Sequence, residues 1–173
     1  AKPNPGHLAL VELERRGKLH ALITQNIDEL HQQAGNSPEK VIEVHGTVRN
    51  VVCMSCGERA PMDKALARVR AGEADPPCRS CGGILKSATI SFGQALVPEV
   101  IDRAMQAAGE AEVLLAVGTS LQVYPIAGAV PVAKADPADA GGQALERDAV
   151  ARHVEPVMEM LVLGEQFLHR RVG

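Results

Sequence analysis

Two Cys-x-x-Cys pairs, Cys53 with Cys56 and Cys78 with Cys81, hold the only cysteines of this 173-residue chain. A Cys-x-x-Cys turn brings two thiolates onto one metal ion, and a second turn completes a closed tetrahedron of sulfur. That donor set suits zinc and leaves no open coordination position, so the metal serves folding rather than water activation. Two disulfides would need an oxidising compartment, and no secretory signal segment is visible. A thioredoxin-like redox pair accounts for one Cys-x-x-Cys but not for two. The reading is therefore a structural Zn2+ site on Cys53, Cys56, Cys78 and Cys81, within a module over residues 48–88.

An α/β pattern surrounds the module. A helix opens at Asn4 or Pro5 and stops at Gly17, and Leu19 to Thr24 follows as a buried strand. Asn26 or Asp28 is positioned to cap a helix reaching Ala34, with Gly35 as its terminator. Val41 to Val44 is a short strand ending at His45-Gly46. Inside the module, Met62 to Ala71 has helical composition. Beyond it come a strand over Ala88 to Ser91, a helix over Glu99 to Ala108, and a strand over Glu112 to Val117. The chain is 46% hydrophobic, yet Phe92, Tyr124 and Phe167 are its only aromatic residues. The core must come from aliphatic side chains, as in helix-covered parallel sheets. From residue 134 a linker rich in Ala, Asp and Gly leads into residues 145–167, which read as one or two amphipathic helices with no strand.

A net charge of −3 supplies no basic field for nucleic acid, so no direct nucleic-acid binding is expected. The longest apolar runs fall short of the roughly 20 residues that span a bilayer, so no membrane partner is expected either. Paired free thiols make the cytoplasm the expected location. The chain starts at Ala1-Lys2-Pro3-Asn4-Pro5, without a methionine and on a helix, and the expectation is that further sequence precedes it.

Three polar segments stand where the strands end. Thr24-Gln25-Asn26-Ile27-Asp28 sets amides, a hydroxyl and a carboxylate at a strand-to-helix junction, suited to a ribose or carboxamide and equally to helix capping. His45 closes a strand beside a glycine; histidine titrates near neutrality and serves as general base, structural residue or metal ligand. Gly118-Thr119-Ser120 follows an apolar strand, where α/β sheets bind ligands, although such a segment also forms simple turns.

Taken in order, T-Q-N-I-D-x-L-H-x-x-A-G, V-x-E-V-H-G, the twin Cys-x-x-Cys, I-S-F-G-Q and V-G-T-S-L-x-V-x-P resemble the sirtuin family of NAD-dependent protein deacylases. The resemblance covers about residues 1–133. It implies a partial Rossmann-like parallel sheet over 1–47 and 89–133 that binds NAD, the zinc module inserted at 48–88, and a divergent helical tail over 134–173. It implies that NAD is a co-substrate contacted by Gln25, Asn26, Asp28, Gly118, Thr119 and Ser120, and that His45 is the catalytic base. It also implies that Phe92, Gly93, Leu121 and Val123 pair an acyl-lysine peptide as an added strand. The implied reaction is removal of acetyl or other acyl groups from protein lysines, giving nicotinamide and O-acyl-ADP-ribose.

Two parts of the family pattern are absent. The Gly-Ala-Gly-Ile-Ser segment that cradles phosphates would precede Ala1, and an apolar strand with an Asn-containing loop is replaced from Lys134 onward by Asp136-Pro137-Ala138-Asp139. The expectation is that this chain by itself is weak or inactive. The rival readings are a catalytically inactive sirtuin-like fragment and a zinc-ribbon binding module.

Overall fold

The computed structural model describes the backbone of residues 1–134, 148–152 and 159–163, with side chains described for 1–134. The chain divides into two compact units. Unit one contains Ala1–Asn26, Leu30–Val44 and residues from Leu96 onward; unit two contains Ile27–Glu29 and His45–Ala95.

Unit one is built on a five-stranded sheet. Helix α1 (Pro5–Arg15) starts where sequence chemistry asks it to. Asn4 accepts a hydrogen bond from the His7 amide at 3.1 Å, and His7 Nδ1 accepts one from the Asn4 amide at 3.2 Å. Two amides left unpaired by helix geometry are thereby satisfied. Strand β1 (Leu19–Thr24) is buried at every position except His20. Leu19 and Leu22 pack under α1 with Leu10 and Val41, while Ala21 and Ile23 face the main core. Burial of each large aliphatic side chain stabilises the unit by roughly 1.5–3 kcal/mol.

Helix α2 (Leu30–Ala34) begins later than its polar prelude suggests, and neither Asn26 nor Asp28 directly precedes it. Glu29 stands at φ 57, which breaks the helix from the preceding residues. Strand β2 (Val41–Glu43) pairs parallel with β1, Ile23 opposite Ile42. Later in the chain, α4 (Pro98–Gly109) buries Ala104, Ala107 and Ala108. These small residues let the helix lie close on the sheet, against Ile23, Ile42 and Leu114. Strand β6 (Val113–Val117) leads through a 3-10 turn (Ile126–Gly128) into the short α5 (Ala129–Lys134).

The expected helical tail is corrected at two places. Asp148–Arg152 forms β7, parallel to β6, and Glu159–Leu163 forms β8, antiparallel to both β1 and β6. The strand order is β2-β1-β8-β6-β7. A short apolar run such as Met160–Leu163 has no period that separates strand from helix. Backbone groups of β1 and β6 that need partners decide the matter, because β8 pairs with both. The remaining tail residues (135–147, 153–158 and 164–173), with most of the linker, lie outside the described residues.

Unit two is a three-stranded antiparallel sheet in the order β4-β3-β5, comprising β3 (Gly46–Cys53), β4 (Arg59–Pro61) and β5 (Leu85–Thr89). Helix α3 (Met62–Arg70) follows β4 directly. Among the described residues of unit two few large apolar side chains are buried, and none on α3 is, so an apolar core alone gives this unit little to hold it together.

Candidate functional site

The four cysteines supply a further hold. Cys53 ends β3, Cys56 follows it in a turn, and Cys78 and Cys81 form the second turn ahead of β5. Their sulfurs all lie within 4.8 Å of one another. Cys53 and Cys81 are 3.5 Å apart, and Cys56 and Cys78 are 3.7 Å apart. A tetrahedron with zinc–sulfur bonds of about 2.3 Å has sulfurs about 3.8 Å apart, so the quartet fits this ion.

Matching backbone hydrogen bonds build the two turns: Gly57 N to Cys53 O at 3.0 Å, and Gly82 N to Cys78 O at 2.8 Å. Gly83 is required by space. A Cβ there would lie 2.5 Å from Ser55 Oγ and 2.9 Å from Cys53 Sγ, inside the sulfur cradle. Amide donors from Cys56 and Ser55 stabilise the Cys53 thiolate and draw that thiol down to about 6 despite its burial. At Cys56, Cys78 and Cys81 backbone amides also favour the thiolate, but neighbouring cysteines at Cys56 and Cys81, and burial with the Glu58 carboxylate at Cys78, outweigh them and hold these thiols above the usual range. Gathering four like charges without a counter-ion opposes itself, and a divalent cation removes the conflict.

The other predicted residues fall in both units. In unit one, β1 and β6 run in the same direction, each antiparallel to β8. Their carboxyl ends therefore emerge on one edge, carrying Thr24-Gln25-Asn26 and Gly118-Thr119-Ser120. Buried Gln25 donates through Nε2 to Thr119 Oγ1 at 3.3 Å, although the two are 94 residues apart in sequence. Thr119 Oγ1 also accepts from the Leu121 amide at 3.1 Å, and Leu121 holds a left-handed φ of 56. Asn26 is half-buried, its amide donating to Thr24 Oγ1 at 3.1 Å. Gly118 and Thr119 are half-buried, whereas Ser120 and Val123 are exposed.

In unit two, half-buried His45 stands immediately before β3, and its carbonyl accepts from the Ile90 amide at 2.9 Å. Gly46 follows at φ 73, packed against the Ala88 carbonyl. Half-buried Asp28 belongs to this unit as well. Phe92 is fully exposed, beside Gly93 at φ 81.

Two residues went unnoticed in the sequence. Glu29, the variable position of T-Q-N-I-D-x-L-H, adopts a conformation that costs a non-glycine residue roughly 1–2 kcal/mol. Its carboxylate accepts a 2.6 Å hydrogen bond from the hydroxyl of buried Thr47. Nothing local in the sequence marks either residue, since the bond joins positions 18 residues apart.

A Rossmann-like α/β unit with polar segments at its strand ends, together with a lobe whose four cysteines fit a zinc ion, defines the class of fold. Comparison with known proteins narrows it. The Sir2 family model matches residues 1–125, and the chain belongs to that family. It is 53% identical over 133 residues to "NAD-dependent protein deacetylase 2" of Streptomyces coelicolor, covering 77% of this chain and 55% of that protein. It is 37% identical to "NAD-dependent protein deacylase 2" of Pyrobaculum aerophilum, covering 95% of this chain and 61% of that one. A solved Sir2–p53 peptide–NAD+ structure superposes with a TM-score of 0.71 at 32% identity, over 87% of this chain and 59% of that chain. The chain thus spans roughly half the length of the relatives it matches.

Proposed function

We propose that this chain carries the catalytic and zinc-binding portion of an NAD-dependent protein-lysine deacylase. The observation that carries the reading is the Gln25–Thr119 hydrogen bond. It joins two segments, remote in sequence, at the carboxyl edge of an α/β sheet, where nucleotides bind in such folds. Gln25, Asn26 and Asp28 hold the nicotinamide and its ribose. Gly118, Thr119 and Ser120 present backbone amides and hydroxyls to the phosphate and adenosine portion.

His45 acts as general base, taking a proton from a ribose hydroxyl so that its oxygen attacks the acyl carbon. The acyl oxygen bonds C1′ of the nicotinamide ribose as nicotinamide leaves, and one water then breaks the bond to lysine, giving free lysine and O-acyl-ADP-ribose. Phe92, Gly93, Leu121 and Val123 offer main chain to an acyl-lysine peptide. Zinc on the four cysteines holds the second unit in shape and takes no part in the chemistry. Thiols that must stay reduced to hold the ion favour the cytoplasm as the place of action.

The test is mass spectrometry of an acetyl-lysine peptide incubated with NAD and the zinc-loaded chain. Formation of O-acetyl-ADP-ribose, lost in His45→Ala, is the expected result. Equal turnover by the wild type and His45→Ala would remove His45 from the role of base. Absence of turnover and of NAD binding in titration calorimetry would favour an inactive sirtuin-like chain.

A further inference from the structure

We propose that Glu29 is a positioning residue, a clamp that fastens the Asp28 loop to the strand that directly follows His45. The inference rests on the functional reading above only for what Asp28 and His45 do; the clamp itself is read from geometry.

Residues flanking the loop on both sides, up to Asn26 and from Leu30, belong to unit one, yet Ile27–Glu29 belongs to unit two. Two hydrogen bonds join the loop to residues 47–48, and a third fixes the Thr47 hydroxyl. The Val48 amide donates to the Ile27 carbonyl at 2.9 Å. Thr47 donates its hydroxyl proton to Glu29 Oε1 at 2.6 Å, and Thr47 Oγ1 accepts from the Arg49 amide at 3.0 Å. The Glu29 bond is short and charge-assisted, and Thr47 is only 5% exposed. Glu29 holds a left-handed backbone without being glycine, a state that persists only where surroundings enforce it. Asp28 is adjacent to the strained residue, and His45 lies two residues before Thr47. The clamp makes Asp28 and His45 members of one compact unit, so a ribose held by Asp28 stays in register with the base.

The experiment uses the zinc-loaded full chain and compares wild type, Glu29→Ala, Glu29→Gln and Thr47→Val by amide exchange and NMR of the His45 ring. Loss of the charge-assisted bond should speed exchange of the 27–29 and 47–49 amides together by about tenfold or more in Glu29→Ala. The His45 ring signals should move, while zinc content and exchange at Leu22 and Ile42 stay unchanged. Glu29→Gln keeps a neutral acceptor and should fall between wild type and Glu29→Ala, and adding Thr47→Val to Glu29→Ala should speed exchange further only at the Arg49 amide, not at 27–29. Unmoved His45 signals in Glu29→Ala, exchange that changes in one segment without the other, or failure of Glu29→Gln to rescue each overturns the clamp. A chain that shows this coupling but makes no O-acetyl-ADP-ribose overturns the deacylase reading and leaves the clamp standing.

Discussion

Gly46→Ala tests the geometry around the proposed base directly. An alanine Cβ at position 46 would lie 2.2 Å from the Ala88 carbonyl oxygen, 3.2 Å from its carbon and 3.3 Å from Thr89 Cα. All three atoms are backbone of β5, and Gly46 is paired with Thr89, so no side chain can swing aside. At φ 73 the alanine also adopts a left-handed conformation, costing roughly 1–2 kcal/mol. Forcing extra volume into a packed site adds roughly 1–3 kcal/mol. The sum is a destabilisation of unit two of about 2–5 kcal/mol, concentrated where Ile90 donates to the His45 carbonyl.

Gly93→Ala is the matching control, since Gly93 has φ 81 and nothing within 4 Å of an added Cβ. Hydrogen exchange of the Cys53, Met54 and Ile90 amides measures the opening free energy of unit two in both variants. Gly93→Ala should show only the conformational part. Equal effects of the two substitutions, within about 0.5 kcal/mol, would falsify the claim that steric contact with β5 sets the requirement for glycine.

Zinc removal should act first on unit two. Chelation is expected to abolish amide protection in β3 and β5 while Leu22 and Ile42 in unit one keep theirs; simultaneous loss in both units would contradict a local role for the metal. Glu14 provides a pH test: burial disfavours its charge, but hydrogen bonds from Ser37 and Asn36 prevail and hold its carboxyl below the ordinary 4.5. A depressed folded value contributes stability fully present above 4.5 and lost as pH falls through the folded value. Denaturation of Glu14→Gln should therefore depend less steeply on pH than wild type as pH falls below 4.5, and parallel curves would rule the linkage out. Leu22→Ala removes a side chain with 0% exposure and should cost about 2–5 kcal/mol in urea unfolding; a loss under 1 kcal/mol would mean the site collapses freely.

Much of the molecule is legible in its sequence because the relevant physics is local. Proline at the first turn and Asn4 as cap set the start of α1, and the aliphatic run Leu19 to Thr24 set β1. Two Cys-x-x-Cys turns carry their metal geometry in their own spacing, so the quartet was complete in the sequence. The T-Q-N-I-D, H-G and G-T-S segments likewise identified the residues worth locating. The strands at 148–152 and 159–163 are not legible in the tail's own pattern, because strand pairing belongs to neighbours far along the chain. Tertiary structure alone decided that Gln25 meets Thr119, that Gly83 leaves room for the Cys53 sulfur, and that Glu29 bears strain against Thr47. Each depends on the approach of atoms separated by many residues, which local spacing does not encode. The sequence determined the donor set and the chemistry available; packing decided which of those groups share one unit.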